Sequence, residues 1–239
     1  MKRVSLCFCR WDEHPEYHGI ISLSLKQNTL TEIDGGVDKW GKLTSLDLSD
    51  NKITRLPYMM QNLLNLSDLK LSHNQLLELP KTLRACVSIA LLALDYNQLR
   101  EWPGCLDSLT GLVELSMSHN RIDDIPPTAS TLVKLQILKL NGNRIASMPK
   151  QCSQWSRLIE LQMKENGLSQ IPETLGLITS LEQVGARIRI LPTCNIVSCL
   201  LIFRGRTKFL KRACVAFFPS VSLSLSLSHT HIHTLSLSL

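Results

Sequence analysis

Several things this sequence has little of narrow what it can be. Phe, Trp and Tyr together make up 5% of 239 residues, so a core built around large rings is excluded. The 44% hydrophobic content must be packed mainly from aliphatic side chains. Long apolar runs are missing. The uncharged stretch 196–203 falls far short of the roughly 20 residues that a membrane-spanning helix needs. The basic opening Met1-Lys2-Arg3 leads into no secretory-type apolar segment, because charge returns at Arg10, Asp12 and Glu13. Eight cysteines are present without the spacing of a disulfide framework. They read as free thiols in a reducing compartment, which makes the cytoplasm the expected location.

A one-signed charge field is lacking too. The formal charge is +6, but residues 18–184 hold 16 Lys+Arg against 17 Asp+Glu. Residues 1–17 hold three of each, and the remaining seven basic residues follow Val184 with no acid among them. A near-neutral body removes the electrostatic case for nucleic-acid binding. Catalytic signatures are also missing: no Gly-rich phosphate loop, no GxSxG, no HExxH and no paired CxxC. Cys7-x-Cys9 near His14 and His18 is a conceivable metal half-site, although its spacing fits no zinc pattern. The expectation is a non-enzyme without cofactor or metal.

What is present is a repeat. Asparagine stands at Asn28, Asn51, Asn74, Asn97, Asn120, Asn143 and Asn166, every interval being 23 residues. One copy of the frame around it reads Leu43-x-x-Leu46-x-Leu48-x-x-Asn51-x-Ile53-x-x-Leu56-Pro57. Others run through Leu66, Leu69, Leu71, Asn74, Leu76, Leu79, Pro80 and through Leu158, Leu161, Met163, Asn166, Leu168, Ile171, Pro172. The first, from Ile20 to Ile33, lacks only the proline.

This pattern resembles the leucine-rich repeat. The period and the proline are similar to the intracellular class found in Ras-pathway scaffolds and in polarity scaffolds of the Scribble and Erbin type. The resemblance implies an α/β solenoid: a right-handed horseshoe with a parallel concave β-sheet and short helical or irregular convex segments.

The pattern has its own physical sense. Leu46-x-Leu48 is the alternation of a short strand with one buried face. Strands from successive units pair in parallel about 4.8 Å apart. The asparagine amide can satisfy backbone groups leaving the ladder, and stacked copies form a hydrogen-bonded row. Two more in-phase columns complete the inner wall: Val37, Met60, Leu83, Leu106, Ala129, Cys152, Leu175, and Trp40, Leu63, Cys86, Leu109, Leu132, Trp155, Ile178. Cys86 and Cys152 are therefore packing residues. No unit buries its face alone, so stability comes from stacking.

The expected domains are a flank over 1–17, the repeat domain over 18–184 with about seven repeats and a partial eighth, and an irregular low-complexity tail over 185–239. The eighth copy starts at Leu181 and Val184 and then fails, with Arg189 where asparagine is due. The chain ends in alternating Ser-Leu and His-Thr, which TC and CA dinucleotide tracts encode. The expectation is translated simple-sequence DNA at the end of a truncated gene product. A genuine disordered tail and a basic membrane-surface segment over 204–212 are the alternatives. His229, His231 and His233 belong to the low complexity rather than to a metal tract.

Function in a solenoid usually sits on the concave strand face. In the middle repeats Leu91 and Ala93 are apolar where neighbours are polar, and Ile137 shares the column of Leu91. Tyr96 lies between His73 and His119, and Arg121 and Arg144 flank them. The two histidines fall about 10 Å apart, too far to share a metal. Aromatic and arginine side chains over a small apolar patch are what binding hot spots are made of, so these eight residues are the candidate partner site. The expected function is a cytoplasmic adaptor or scaffold in intracellular signalling. The resemblance suggests a small GTPase or phosphatase as partner. The alternative is the repeat region of a larger multidomain enzyme, a kinase, GTPase or ubiquitin ligase.

Overall fold

The computed structural model describes residues 19–33, 37, 39–169, 172–186, 222–226 and 234–238. Each repeat contributes one short strand: β1 Ser22–Ser24, β2 Ser45–Asp47, β3 Asp68–Lys70, β4 Leu91–Ala93, β5 Glu114–Ser116, β6 Ile137–Lys139, β7 Glu160–Met163 and β8 Gln183–Ala186. They form one eight-stranded sheet in sequence order. Every pairing is parallel, from β1–β2 through β7–β8, and every register is offset by one repeat, as in Leu46↔Leu69 and Leu92↔Leu115. The horseshoe follows: the sheet lines the concave side and the return segments form the convex one.

The central leucine of β1 to β7 points inward, Val184 takes the equivalent place in β8, and Leu46, Leu69, Leu92, Leu115 and Leu138 are fully buried. Both further columns expected in the core are there. Val37, Met60, Leu83, Leu106, Ala129, Cys152 and Leu175 are no more than 1% exposed, and so are Trp40, Leu63, Cys86, Leu109, Leu132, Trp155 and Ile178. Fully burying one aliphatic side chain stabilises by about 1.5–3 kcal/mol, so these columns carry the array. The large indole of Trp155 donates from Nε1 to the Ala129 carbonyl one layer back, at 2.9 Å. Cys86 Sγ reaches the equivalent Met60 carbonyl at 3.1 Å.

The repeat prolines set the return leg. Pro57, Pro80, Pro103, Pro126, Pro149 and Pro172 each precede a five-residue 3-10 segment, with φ between −65° and −68°. The pyrrolidine ring favours this φ, and the backbone donor it removes is not needed at a helix start.

The asparagines stand in a single row. Asn74 Nδ2 donates to the Leu48 carbonyl at 2.9 Å and to the Leu71 carbonyl at 3.0 Å, while its Oδ1 accepts from the Ile53 amide at 2.9 Å. Asn97, Asn120 and Asn143 repeat the arrangement one layer further each time. Each amide thus ties carbonyls of two repeats that have left the strand ladder, and these asparagines are buried.

Within the tail expected to be irregular, Ser222–Ser226 and Thr234–Ser238 pair as antiparallel strands β9 and β10, with Leu225 opposite Leu235. The alternation of Ser and Leu has the period of a strand, which is why this stretch takes strand geometry.

Candidate functional site

The residue before each asparagine turns the chain out of its strand. Gln27, Asp50, His73, Tyr96, His119 and Glu165 all have φ between +54° and +59°, and Gly142 has +63°. A single left-handed residue per repeat projects its side chain at the rim of the concave face. Glycine accommodates this freely, whereas bulky side chains take it up only when surroundings hold them there. The asparagine that follows does the holding, since its amide fixes the carbonyl of the residue two before it, as in Asn97 to Asp95 at 3.3 Å.

In the middle repeats this rim column is aromatic. The rings of His73 and Tyr96 stack with centroids 4.3 Å apart and planes inclined by 11°. Those of Tyr96 and His119 stack at 4.3 Å and 15°. Tyr96 remains 47% exposed. The row ends against Gly142: a Cβ there would meet His119 Nδ1 at 2.6 Å. Glycine in the next repeat therefore makes room for the last ring.

The floor beside the rings is polar but internally satisfied. Asp95 Oδ1 accepts from Ser116 Oγ at 2.5 Å and from the Ser118 amide at 2.8 Å, and Asp95 Oδ2 accepts from Ser72 Oγ at 3.3 Å. Ser116 and Ser118 are buried. Ala93 lies level with Ser116 and Leu91 with Glu114, which in turn is level with Ile137. Lys139 and Glu114 form an ion pair at 3.0 Å. That hydrogen bond holds the Lys139 ammonium above its ordinary range, against partial burial.

The expected site residues thus divide into three groups. His73, Tyr96 and His119 come into direct contact. Leu91, Ala93 and Ile137 are half-buried on the strand face, five to three residues before the rim along each strand. Arg121 and Arg144 are exposed, each directly following its asparagine, and neither forms an ion pair among the described residues. Sequence reasoning missed the left-handed column, for which Gly142 was the one signal. It also missed Asp95 as the organiser of the floor.

Chemistry elsewhere is sparse. Burial pushes the thiols of Cys86 and Cys105 up to about 11, and that of Cys152 upward as well. Protonated thiols of this kind are poor nucleophiles and poor ligands. Among the described residues no group of three or more His, Cys, Asp or Glu could hold a metal ion, and no helix is long and apolar enough to cross a membrane. A cavity of about 730 Å³ opens on the return side between Leu77–Arg84 and Arg100–Cys105. Its ionisable lining is Glu78, Glu101, Lys81, Arg84, Arg100 and Cys105, and burial keeps that thiol protonated. Cys7, Cys9, His14, His18, the segment 204–212 and His229, His231 and His233 lie outside the described residues.

Comparison with known proteins agrees with this geometry. A family model described as leucine rich repeat matches residues 19–76, and one for two copies of leucine-rich repeats matches residues 110–153. No curated protein matches the chain. Among solved structures, a leucine-rich-repeat protein of Leptospira interrogans is 25% identical with a TM-score of 0.59, over 75% of this chain and 52% of that one. The leucine-rich-repeat ectodomain of the membrane receptor kinase GASSHO1/SCHENGEN3 from Arabidopsis thaliana, solved in complex with Casparian strip integrity factor 2, is 26% identical with a TM-score of 0.58, over 73% and 26%. The functional domain of InlJ from Listeria monocytogenes is 22% identical with a TM-score of 0.64, over 76% and 37%, and shares the fold. This chain therefore spans about half or less of the length of the structures it matches. With its seven asparagines in one register, its unbroken parallel sheet and these matches, the protein is a leucine-rich-repeat protein.

Proposed function

We propose that this repeat domain is a non-catalytic adaptor or scaffold that grips a protein partner on its concave face. Leucine-rich-repeat domains generally mediate protein–protein interaction. The observation that carries the reading here is the stacked, half-exposed His73–Tyr96–His119 row beside a floor whose hydrogen bonds are already made. Covering such a floor strands few polar groups, which keeps the desolvation cost of binding low. Preordered rings lose little rotamer freedom on contact. We place the protein in the cytoplasm, from the scattered thiols, and in intracellular signalling, with a small GTPase or phosphatase as the partner class that the repeat type suggests.

Placing a photo-crosslinking residue at Ala93 tests the face, with Val87 on the opposite side as reference. Val87 is 56% exposed and follows the 3-10 segment Lys81–Ala85. Discrete adducts are expected from position 93 and none from position 87 in cell extract. Adducts only from position 87 would reject the concave face.

A second reading is favoured by length: the chain covers 26% of a structure that is itself the ectodomain of a receptor kinase. On that reading the repeats are the recognition segment of a larger multidomain enzyme. A transcript that continues in frame into a kinase, GTPase or ubiquitin-ligase pattern would establish it.

A further inference from the structure

The concave face of the middle repeats is not evenly mixed. Cross-strand register places Asp68, Leu91, Glu114, Ile137 and Glu160 in one straight row. Acid and branched aliphatic residues alternate along it, so like residues recur about 9.6 Å apart, two strand spacings. The opposite side of the same surface is the ring row, with Arg121 and Arg144 just beyond it. Between the two, Lys70, Ala93, Ser116 and Lys139 form a parallel row, small in its middle and basic at its ends, and Ser116 and Ser118 are buried. The surface is thus a trough across the strands, with one acidic and aliphatic wall and one aromatic and basic wall.

Its dimensions select among possible occupants. The walls stand five residues apart along each strand, about 16 Å between backbones. The side chains of Leu91 and Tyr96 fill part of that width, leaving room for an α-helix of about 10–12 Å diameter. A helix lying across the strands repeats its apolar face every seven residues, about 10.5 Å, close to the separation of Leu91 and Ile137. A single extended strand or polyproline segment matches the length but is too narrow to meet both charged walls.

We propose that this trough seats an amphipathic helix of a protein partner, lying across β3 to β7, with its apolar stripe on Leu91, Ile137 and Tyr96. One edge of that helix is basic and faces Asp68, Glu114 and Glu160; the other is acidic and faces Arg121 and Arg144. This rests on the concave-face reading and adds the partner's chemistry to it. Glu114 is already paired with Lys139, so Asp68 and Glu160 carry most of the recognition on their side.

The test is selection of a displayed library of random peptides, about 18 residues or five helical turns long, on the full chain. The enriched peptides are expected to carry apolar residues at helical spacing, with basic residues on one flank and acidic residues on the other. They should gain helical circular dichroism on binding. Asp68→Lys with Glu160→Lys is expected to weaken the enriched peptide by about tenfold, and so is Arg121→Glu with Arg144→Glu. All four changes together should restore most of the affinity, because the helix then binds end for end. Enrichment of proline-rich or extended sequences, an affinity indifferent to reversal of either wall alone, or no enrichment at all would overturn the proposal. If the photo-crosslinks at position 93 persist in any of those cases, only the helical partner is rejected. If they are absent as well, the concave-face reading falls with it.

Discussion

Rows of equivalent residues run the length of this solenoid in two kinds, and they obey different rules. The inner rows hold leucine, its close substitutes and asparagine in nearly every repeat, because each member must fit the layer before and after it. The rim and strand-face rows change from repeat to repeat. Asp50, His73, Tyr96, His119 and Gly142 occupy one backbone position with one left-handed conformation, yet share almost no side-chain chemistry. Uniform rows are therefore where stability is held, and variable rows are where recognition can be written without touching the fold.

The sharpest way to break that division is Leu115→Ala. Leu115 is fully buried in the central strand β5, and the change is expected to cost about 2–5 kcal/mol through lost burial and the cavity left behind. Denaturant unfolding reads this as a lower midpoint; a loss below about 1 kcal/mol would mean that the layers do not share a tight interior. Asn97→Ala comes next. It removes donors to the Leu71 and Leu94 carbonyls and the acceptor of the Leu76 amide. A cost of about 3 kcal/mol is expected, since buried backbone groups lose their partners.

The variable rows should respond in the opposite way. Tyr96→Ala is expected to leave the thermal midpoint nearly unchanged, within about 0.5 kcal/mol, while weakening a concave-face partner about tenfold. Equal losses in both measurements would merge the two classes of row. Gly142→Ala sits between the classes. Its new Cβ would crowd His119 Nδ1, so a modest destabilisation of about 1 kcal/mol is expected, with displaced His119 and Tyr96 ring resonances.

The last effect is with pH and is confined to alkaline solution. The thiols of Cys86 and Cys105 ionise near their ordinary 9.0 once unfolded but only at about 11 when folded. The folded chain then holds protons that the unfolded chain releases, so stability that is full below about pH 9 falls as pH rises toward 11. Cys86→Ala should flatten part of that fall in alkaline denaturation curves.

Most of the fold was legible because it is periodic. All fourteen residues in the two extra core columns read as core and are buried, and the small Ala129 fits because Trp155 lies one layer on and donates to its carbonyl. The stack of His73, Tyr96 and His119 was legible as adjacency within a column but not as ring contact, which depends on the left-handed backbone that aims the rings. That conformation left one trace in the sequence, Gly142, since the asparagine ladder holds five other residue types, at six positions, in the same shape. The role of Asp95 was hidden for a different reason: its partners Ser72, Ser116 and Ser118 come from the two repeats flanking its own, and nothing in a row of serines says which way they donate. In the tail, the alternating Ser-Leu visible in the sequence is the stretch that supplies the two paired strands.

The central claim is that equal chain segments stack in register and lock through their asparagines. Side-chain amide hydrogen exchange, followed by NMR with assigned asparagine resonances, tests it most directly. The Nδ2 protons of Asn51, Asn74, Asn97, Asn120 and Asn143 should exchange far more slowly than those of exposed Asn65, whose amide reaches only the Gly41 carbonyl. They should also show cross-peaks to the preceding repeat. Exchange as fast as that of Asn65 at these five positions would contradict the account.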